Sequence, residues 1–179
     1  DFGWDHPTAV VWCAVDRDEE TFYVYDCYRM SKASPTVHAQ TIRGRPHFIP
    51  IAYPHDGNRR DSMGNPGLAD QYRNLGCNLM LDHFTNPPAL GENKGGNSIE
   101  EGLMAMIQDM ENGKFRVFST LPDWFEEFRM YHRKGGKVVA LRDDLMSATR
   151  YAFQSQRFAV SGNDPTWTND IKYGNYGII

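Results

Sequence analysis

The chain has 179 residues, of which 40% are hydrophobic and 13% aromatic, and it carries a formal net charge of −4. This indicates one domain with a substantial core, and no apolar run reaches the roughly 18–20 residues that a membrane span needs. A net negative charge argues against a nucleic-acid-binding protein, unless several acids are metal ligands. The cysteines Cys13, Cys27 and Cys77 have no Cys-x-x-Cys spacing, so we expect reduced core residues of a soluble, intracellular protein.

The first half of the chain predicts mostly strands. Residues 8–16 form a continuous apolar run typical of a central strand, and the aromatic, β-branched residues 21–30 predict a strand paired with it. Ser34-Pro35 predicts the start of a helix that reaches about Arg43. Further on, the sequence predicts short strands and one short helix, at 48–53 (strand), 66–75 (helix) and 78–81 (strand).

The second half predicts mostly helices. Residues 85–96, with two prolines and three glycines, predict a mobile loop, and Ser98-x-x-Glu101 predicts a capping box that begins the next helix. The remaining predicted elements are a strand (115–118), a helix (121–130), a basic loop (133–137), a short strand (138–141), a final helix (143–158) and an irregular tail (161–179). This order predicts an α/β domain over 1–160, with a mixed central β-sheet flanked by helices on both faces.

Five aspartates stand where the predicted elements begin or end. Asp1 is expected to end a first strand and Asp5 to lie in the turn after it, Asp56 follows the fourth strand when that first one is counted, and Asp143-Asp144 opens the last helix. Ligands of open α/β sheets gather at the carboxyl ends of adjacent strands, so we expect these acids to converge. Three such carboxylates could hold two divalent ions about 3.5–4 Å apart, an arrangement that cleaves phosphodiesters. The alternative is that Asp1 and Asp5 are ordinary turn residues.

The pattern resembles the nuclease domain of phage DNA-packaging motors, the C-terminal domain of the large terminase subunit of the headful-packaging kind. The resemblance rests on three segments, at 1–9 (DFGWDHPTA), 54–57 (PHDG) and 143–152 (DDLMSATRYA), and covers roughly residues 1–158. It implies a ribonuclease-H-like fold and an endonuclease that cleaves double-stranded DNA with two Mg²⁺ or Mn²⁺ ions. By position, Asp1 and Asp56 match the first two metal ligands of the family, and the Asp143-Asp144 pair matches its last-helix acid.

The helical spacing distinguishes the two acids of the last pair. At about 100° per residue, Asp144 falls beside the stripe of Leu145, Ala148 and Ala152, whereas Asp143 points nearly opposite. We therefore expect Asp144 to be the inner metal ligand and Asp143 an outer or water-mediated one.

Two further residues are expected to support the metal site. Asp5 is a candidate acid that would support the metal ligands without binding the ion itself. His55, next to Asp56, could shape the site or move protons, and the alternative is an ordinary turn residue. His6 and His83 are expected to be structural. For Arg150, on the last helix, the sequence leaves three roles open: orienting Asp143, contacting phosphate, or lying on the helix surface.

Basic residues near glycines are candidates for DNA contact, because lysine and arginine neutralise phosphates without reading sequence. The candidates are Arg59, Arg60, Lys94, Arg133, Lys134 and Lys137. The alternative for each is an ordinary solvated surface.

The resemblance also implies partners and a location. We expect an ATPase domain in the same full-length chain, a portal ring, a small terminase subunit and the host cytoplasm during infection, without membrane contact. No Gly-Lys-Ser/Thr motif occurs, so this chain is not expected to hydrolyse ATP. Because the resemblance expects apolar strand residues before Asp1, the chain is expected to be a piece of a longer one, with Asp1 frayed.

Three alternatives stay open at this point. The first is another ribonuclease-H-like enzyme, such as a junction resolvase or an integrase. The second is an actin-like phosphate-binding domain, in which Gly3 and Thr8 would mimic a phosphate-binding hairpin, although that fold needs a second lobe. The third is a docking domain without catalytic activity.

Overall fold

A mixed sheet forms the centre of the molecule. The computed structural model describes residues 1–59, 64, 66–93, 95–139 and 141–161. β1 (Thr8–Asp16) and β2 (Thr21–Met30) pair antiparallel, with the boundaries that the sequence predicts. β3 (Phe115–Val117) then joins β2 in parallel, so the strand order within the described residues is β1-β2-β3. The predicted mixed sheet is confirmed.

Helices lie on both faces of this sheet, as predicted. They are α1 (Pro35–Arg43), α2 (Leu68–Asn74), α3 (Ile99–Glu111), α4 (Pro122–Met130) and α5 (Asp144–Gln154). On one face, α5 contacts β1 and β2, and both α3 and α4 contact α5. On the other face, the Tyr28 hydroxyl of β2 lies 3.0 Å from Nδ1 of His38 in α1, and the guanidinium of Arg45 lies 5.2 Å from the Trp12 ring.

Two hydrophobic clusters hold these layers together. The larger cluster joins β1, β2 and β3 to α3, α4 and α5, and it contains Phe22, Trp124 and Leu145, which are almost fully buried. The smaller cluster lies under α1 and α2 around Tyr53 and Tyr72. A groove of about 960 Å³ runs along β1 between residues of the two clusters and reaches Asp1.

The strands predicted at 48–53 and 78–81 are reduced to a single parallel bridge. Ile51 donates its N–H to the carbonyl of Asn78 at 2.9 Å and accepts the N–H of Met80 at 3.0 Å. The ladder would continue through residues 49 and 53, but the N–H of Ile49 donates to Pro46 O at 3.2 Å and the carbonyl of Tyr53 accepts the N–H of Phe84 at 2.8 Å. The prediction of two full strands is therefore wrong.

The loop at 85–96 was predicted to be mobile, but its base is closed by Asn86. The N–H of Asn86 donates to Gly96 O at 2.8 Å, and its amide group donates to the carboxylate of Glu101 at 2.8 Å. A Cβ atom on Gly95 would lie 1.7 Å from the Asn86 carbonyl oxygen, so only glycine fits there. Of the predicted capping box, the Ser98 half forms, since its hydroxyl accepts the N–H of Glu101.

The basic segment predicted as a loop is a small hairpin of β4 (Arg133–Lys134) and β5 (Lys137–Val138). Gly135 and Gly136 have φ values of 58° and 78°, which a tight two-residue hairpin turn requires. After α5, a 3₁₀ turn at Gln156–Phe158 ends the described chain, and the predicted tail lies outside the described residues apart from Ser161. None of the described helices is long and apolar enough to cross a membrane.

Candidate active site

The first acid, Asp1, is fixed to the start of β1. Its backbone nitrogen donates to Ala9 O at 2.7 Å, and its carbonyl accepts the N–H of Ala9 at 3.1 Å. The turn that follows is closed by Thr8, whose hydroxyl donates to Gly3 O at 3.0 Å. A Cβ atom on Gly3 would lie 2.3 Å from the His6 carbonyl oxygen, so the turn requires glycine. The expectation that Asp1 is frayed is therefore wrong.

The second acid, Asp56, is brought to the same place by packing rather than by pairing of strands. It lies, exposed, in a 3₁₀ turn at His55–Asn58. Phe2 stacks on Tyr72 with ring centroids 5.0 Å apart and also contacts Tyr53 at 6.4 Å. Gly57 is buried against Phe2, since a Cβ atom there would lie 2.6 Å from the Phe2 ring. The residues that follow Asp1 and Asp56 therefore pack directly on each other.

The third site is the beginning of α5. Asp143 is the N-cap residue and half-buried, whereas Asp144 is the first helical residue and only 6% exposed. The carbonyl of Asp143 accepts the N–H of Ser147 at 2.7 Å. Asp144 is thus the more enclosed acid, which favours the prediction that it is the inner ligand.

The electrostatics indicate that these acids lie close together. The backbone nitrogen of Asp1 lies close enough to Asp144 and to Asp56 for their charges to act on it. Burial raises the pKa of Asp144, and the neighbouring charge of Asp143 raises it further. Burial also raises the pKa of Asp143. Asp143 and Asp144 thus carry their negative charge where water is partly excluded.

Two residues near the acids were not among the sequence-predicted site residues. His6, which the sequence predicts to be structural, is close enough to lower the pKa of both Asp143 and Asp144. Burial raises the pKa of Tyr151, and the charges of Asp56 and Asp143 add to the rise. A signal for Tyr151 exists in the sequence, because seven residues, or two helical turns, separate it from Asp144.

Arg150 is buried, so the predicted helix-surface role is wrong. It is 5% exposed, and its guanidinium lies 4.9 Å from the Tyr151 ring and 5.2 Å from the Phe84 ring. Its charge helps to lower the pKa of Asp143, and its Nη1 has no hydrogen-bond partner among the described residues. This environment favours the alternative in which Arg150 orients Asp143.

The supporting roles of Asp5 and His55 stay predictions. Asp5 is exposed in the turn after Asp1, next to Trp4, whose carbonyl accepts the N–H of Lys32 at 2.8 Å. The ring of His55 lies 6.4 Å from that of His83, which places a second histidine beside the Asp56 turn.

The donor chemistry of the site fits a hard divalent cation. Among the described residues, no three His, Cys, Asp or Glu side chains stand close enough together to enclose a metal ion by themselves. Mg²⁺, however, keeps several waters and is usually bound through one or two carboxylates. Asp1, Asp56, Asp143 and Asp144 offer carboxylate oxygens of this kind, and one or two of them together with water would meet the requirement.

The structure divides the predicted DNA-contacting residues into three groups. Arg59, Lys134 and Lys137 are exposed, the first just after the Asp56 turn and the others on the β4–β5 hairpin that precedes α5. Arg133 forms an ion pair with Glu100 at 2.6 Å, so much of its charge is already balanced. Arg60 and Lys94 lie outside the described residues.

The sequence matches one family and several phage proteins. The family model for "Terminase RNaseH-like domain" matches residues 1–156. The large terminase subunit of Salmonella phage P22 is 38% identical over 160 residues, and that of Enterobacteria phage LP7 is 37% identical over 154 residues. These matches cover 89% and 86% of this chain, but the chain spans only 31% of each relative.

The fold is also similar to solved structures. The nuclease domain of the P22 large terminase matches with a TM-score of 0.78 and 37% identity, over 89% of this chain and 79% of that one. The large terminase of a thermophilic bacteriophage matches with a TM-score of 0.58 over 89% of this chain and 39% of that one. Its sequence is only 13% identical, so this second likeness shows a shared fold alone.

Proposed function

Because this chain belongs to the terminase RNaseH-like domain family, we propose that it is a Mg²⁺- or Mn²⁺-dependent endonuclease that cuts double-stranded viral DNA during genome packaging. One observation carries the proposal: the turns that bear Asp1 and Asp56 pack on each other through Phe2 and Gly57, and the backbone nitrogen of Asp1 lies within electrostatic reach of both Asp56 and Asp144. Separate parts of the chain would thus supply oxygen ligands to one place.

Each acid has a distinct proposed role. Asp1, Asp56 and Asp144 would hold two divalent ions directly, and Asp143 would contribute from the outside or through water. When bound, the ions would supply an activated water for attack on phosphorus and would stabilise the leaving 3′-oxygen. Burial of Asp144 keeps part of the site dry, which strengthens each of these interactions.

Other residues of the chain would accept a proton, orient the acids or contact the DNA. His6 lies near Asp143 and Asp144, so its imidazole is a candidate to receive a proton from the reaction. Tyr151 lies near Asp56 and Asp143, and its hydroxyl would help to orient their carboxylates. Arg59, Lys134 and Lys137 would contact phosphates on either side of the acids, whereas Arg133 would contribute less because Glu100 pairs with it.

The partners follow from the same proposal. We expect an ATPase domain in the full-length chain, a portal ring and a small terminase subunit as partners, and the host cytoplasm as the location. These assignments rest on the family and on the relatives named terminase large subunit, of which this chain spans 31%.

The family assignment favours a terminase over a junction resolvase, an integrase or an actin-like phosphate binder. The alternative of another class is a docking domain without catalytic activity. The docking domain and the nuclease predict opposite results when the acids are removed.

Plasmid cleavage tests the proposal. The 179-residue chain should nick and linearise supercoiled plasmid in the presence of Mn²⁺, and Asp1→Asn, Asp56→Asn and Asp144→Asn should each abolish cleavage because each removes a proposed ligand. Asp18→Asn is the matched control, since Asp18 is an exposed acid in the β1–β2 turn, and it should cleave like the wild type. If all three site variants cut as fast as the wild type, the metal-site proposal is wrong.

A further inference from the structure

We infer that Glu127 is a positioning residue: together with Arg29 it fixes the first turn of α5, so that Asp143 and Asp144 face the other acids. Glu127 belongs to α4 and does not touch the proposed metal site itself. The inference rests on the proposed function, because it takes Asp143 and Asp144 as metal-binding residues.

The contact is made at the point where the acid pair begins. Glu127 is 0% exposed, and its Oε2 accepts the backbone N–H of Leu145 at 2.7 Å. The first N–H groups of a helix have no acceptor within the helix, so a side chain usually provides one. Here the side chain comes from another helix and bonds to the residue directly after Asp144.

This contact leaves the carboxylate of Asp143 available. An aspartate at the N-cap commonly accepts the N–H of the second or third helical residue. Asp143 is the N-cap of α5, but its side chain makes no such bond. Leu145 is the second helical residue, and Glu127 accepts its N–H instead. Glu127 thus accepts the Leu145 N–H, and the Asp143 carboxylate, which bonds to the Ser147 side chain, is not used as the cap.

Arg29 explains how a carboxylate can be buried at this position. A buried charge is costly unless it is paired and hydrogen-bonded. Arg29 of β2 donates Nη1 to Oε1 of Glu127 at 3.0 Å, so both carboxylate oxygens have partners. Arg29 also bonds to Glu126 and to Asp123. Its own charge therefore remains paired when Glu127 is changed.

A second bond between the same two helices provides a matched control. Trp124 of α4 donates Nε1–H to the Thr149 hydroxyl at 2.9 Å, and that hydroxyl donates to Leu145 O at 2.6 Å. Thr149 is also fully buried, but it lies more than one helical turn from Asp144. Thr149→Val should weaken the packing of α4 on α5 without changing the cap at Leu145.

The test measures Mn²⁺ binding to the 179-residue chain by titration calorimetry, with hydrogen exchange of the Leu145 amide as a second readout. Glu127→Leu should weaken Mn²⁺ binding about 10-fold, the usual size of an effect from a residue that orients a metal ligand. It should also speed exchange at Leu145. Glu127→Gln keeps one oxygen acceptor and should show a smaller loss in the same direction. Thr149→Val should leave Mn²⁺ affinity unchanged.

Three results would overturn the inference. The first is wild-type Mn²⁺ affinity in both Glu127 variants. If Glu127→Leu does not fold, the affinity of Glu127→Gln alone decides this point. The second is an equal loss of affinity in Thr149→Val, which would show that the effect is general loosening. The third is unchanged exchange at Leu145 in Glu127→Leu. If Asp144→Asn binds Mn²⁺ like the wild type, the proposed function fails at its metal site, and the inference fails with it.

Discussion

At the scale of single residues, two uncharged residues, Phe2 and Gly57, hold the turns of Asp1 and Asp56 together. Phe2 directly follows Asp1 and inserts between Tyr53 and Tyr72, and Gly57 directly follows Asp56 and lies against the Phe2 ring. The backbone positions of Asp1 and Asp56 are therefore coupled through this contact. The carboxylates supply the proposed chemistry, whereas this aromatic contact supplies the distance between them.

Gly57→Ala tests this contact. The new Cβ atom would lie 2.6 Å from the Phe2 ring and 2.9 Å from Tyr53, so either the ring or the Asp56 turn must shift. We expect a large loss of Mn²⁺-dependent plasmid cleavage, and a loss of stability of about 1–3 kcal/mol, typical of overpacking. The measurements are the cleavage rate and the free energy of unfolding in urea.

Gly96→Ala is the control for this substitution. A Cβ atom on Gly96 meets nothing within 4 Å, so cleavage and stability should both stay close to those of the wild type. Full cleavage activity in Gly57→Ala would show that the Phe2 contact does not set the position of Asp56.

At the scale of elements, the β4–β5 hairpin makes a prediction about DNA. Lys134 and Lys137 project, exposed, from a rigid hairpin just before the acid pair, whereas Arg133 is held by Glu100. Removing one lysine–phosphate interaction should lower the slope of log affinity against log salt by about 0.9. Lys134→Ala and Lys137→Ala should each show this change in a duplex-binding titration, and Arg133→Ala should show a smaller one.

The control for the hairpin is a lysine near the start of β2. Lys114 pairs with Glu20 beside the β1–β2 turn, so Lys114→Ala should leave both affinity and salt slope unchanged. Equal slopes for the wild type and the two hairpin lysine variants would show that the hairpin does not contact DNA.

Strong periodicity made most elements predictable from sequence. The apolar run of β1 and the aromatic run of β2 have the predicted bounds, and Ala148 lies on the predicted buried side of α5. The predicted elements were wrong where backbone hydrogen bonds and backbone conformation, rather than amino-acid composition, determine the local structure. Residues 49 and 53 bond elsewhere and end the ladder at Ile51, and two glycines turn a basic loop into a hairpin. Asn86 closes a glycine-rich loop through contacts that no local pattern shows.

The same distinction applies to the candidate site. Acids at the ends of predicted elements could be found from sequence, because the topology of an α/β sheet brings such ends together. His6 acts on Asp143 and Asp144 from the other end of the chain, and an exposed turn histidine has no distinctive local pattern, whereas Tyr151 could have been found from its seven-residue spacing to Asp144. Glu127 bonds across 18 residues to a backbone N–H, a partner that carries no sequence signal at all.

At the scale of the whole molecule, the acids lie where the two hydrophobic clusters meet. Phe2 packs on the smaller cluster, and Leu145 belongs to the larger one. Each cluster fixes one side of the site, so the relative position of the clusters sets the spacing of the acids. The concentration of acids at this junction also reconciles the net charge of −4 with a protein proposed to bind DNA, because bound cations would offset these charges locally.

Without metal, the acids at this junction are expected to lower the stability of the folded protein. Burial raises the pKa of Asp144 above its ordinary value of 3.8. The folded state therefore binds this proton more tightly than the unfolded state does, and stability is lost as the pH rises from about 3.8 through the raised folded pKa. Near pH 7 the folded protein must carry the ionised, partly dry carboxylate, which favours unfolding.

Asp144→Asn should therefore stabilise the metal-free protein while abolishing cleavage. Near pH 7 without metal we expect its Tm to rise by about 2–4 °C, the shift that roughly 1 kcal/mol produces in a domain of this size. The gain should disappear near pH 4, where the wild-type carboxyl becomes protonated. Saturating Mn²⁺ should reverse the order, because only the wild type gains stability from binding. Asp18→Asn is the control and should match the wild type throughout. A lower Tm for Asp144→Asn near pH 7 without metal would mean that the carboxylate stabilises the fold, and that the acids are structural rather than a strained metal site.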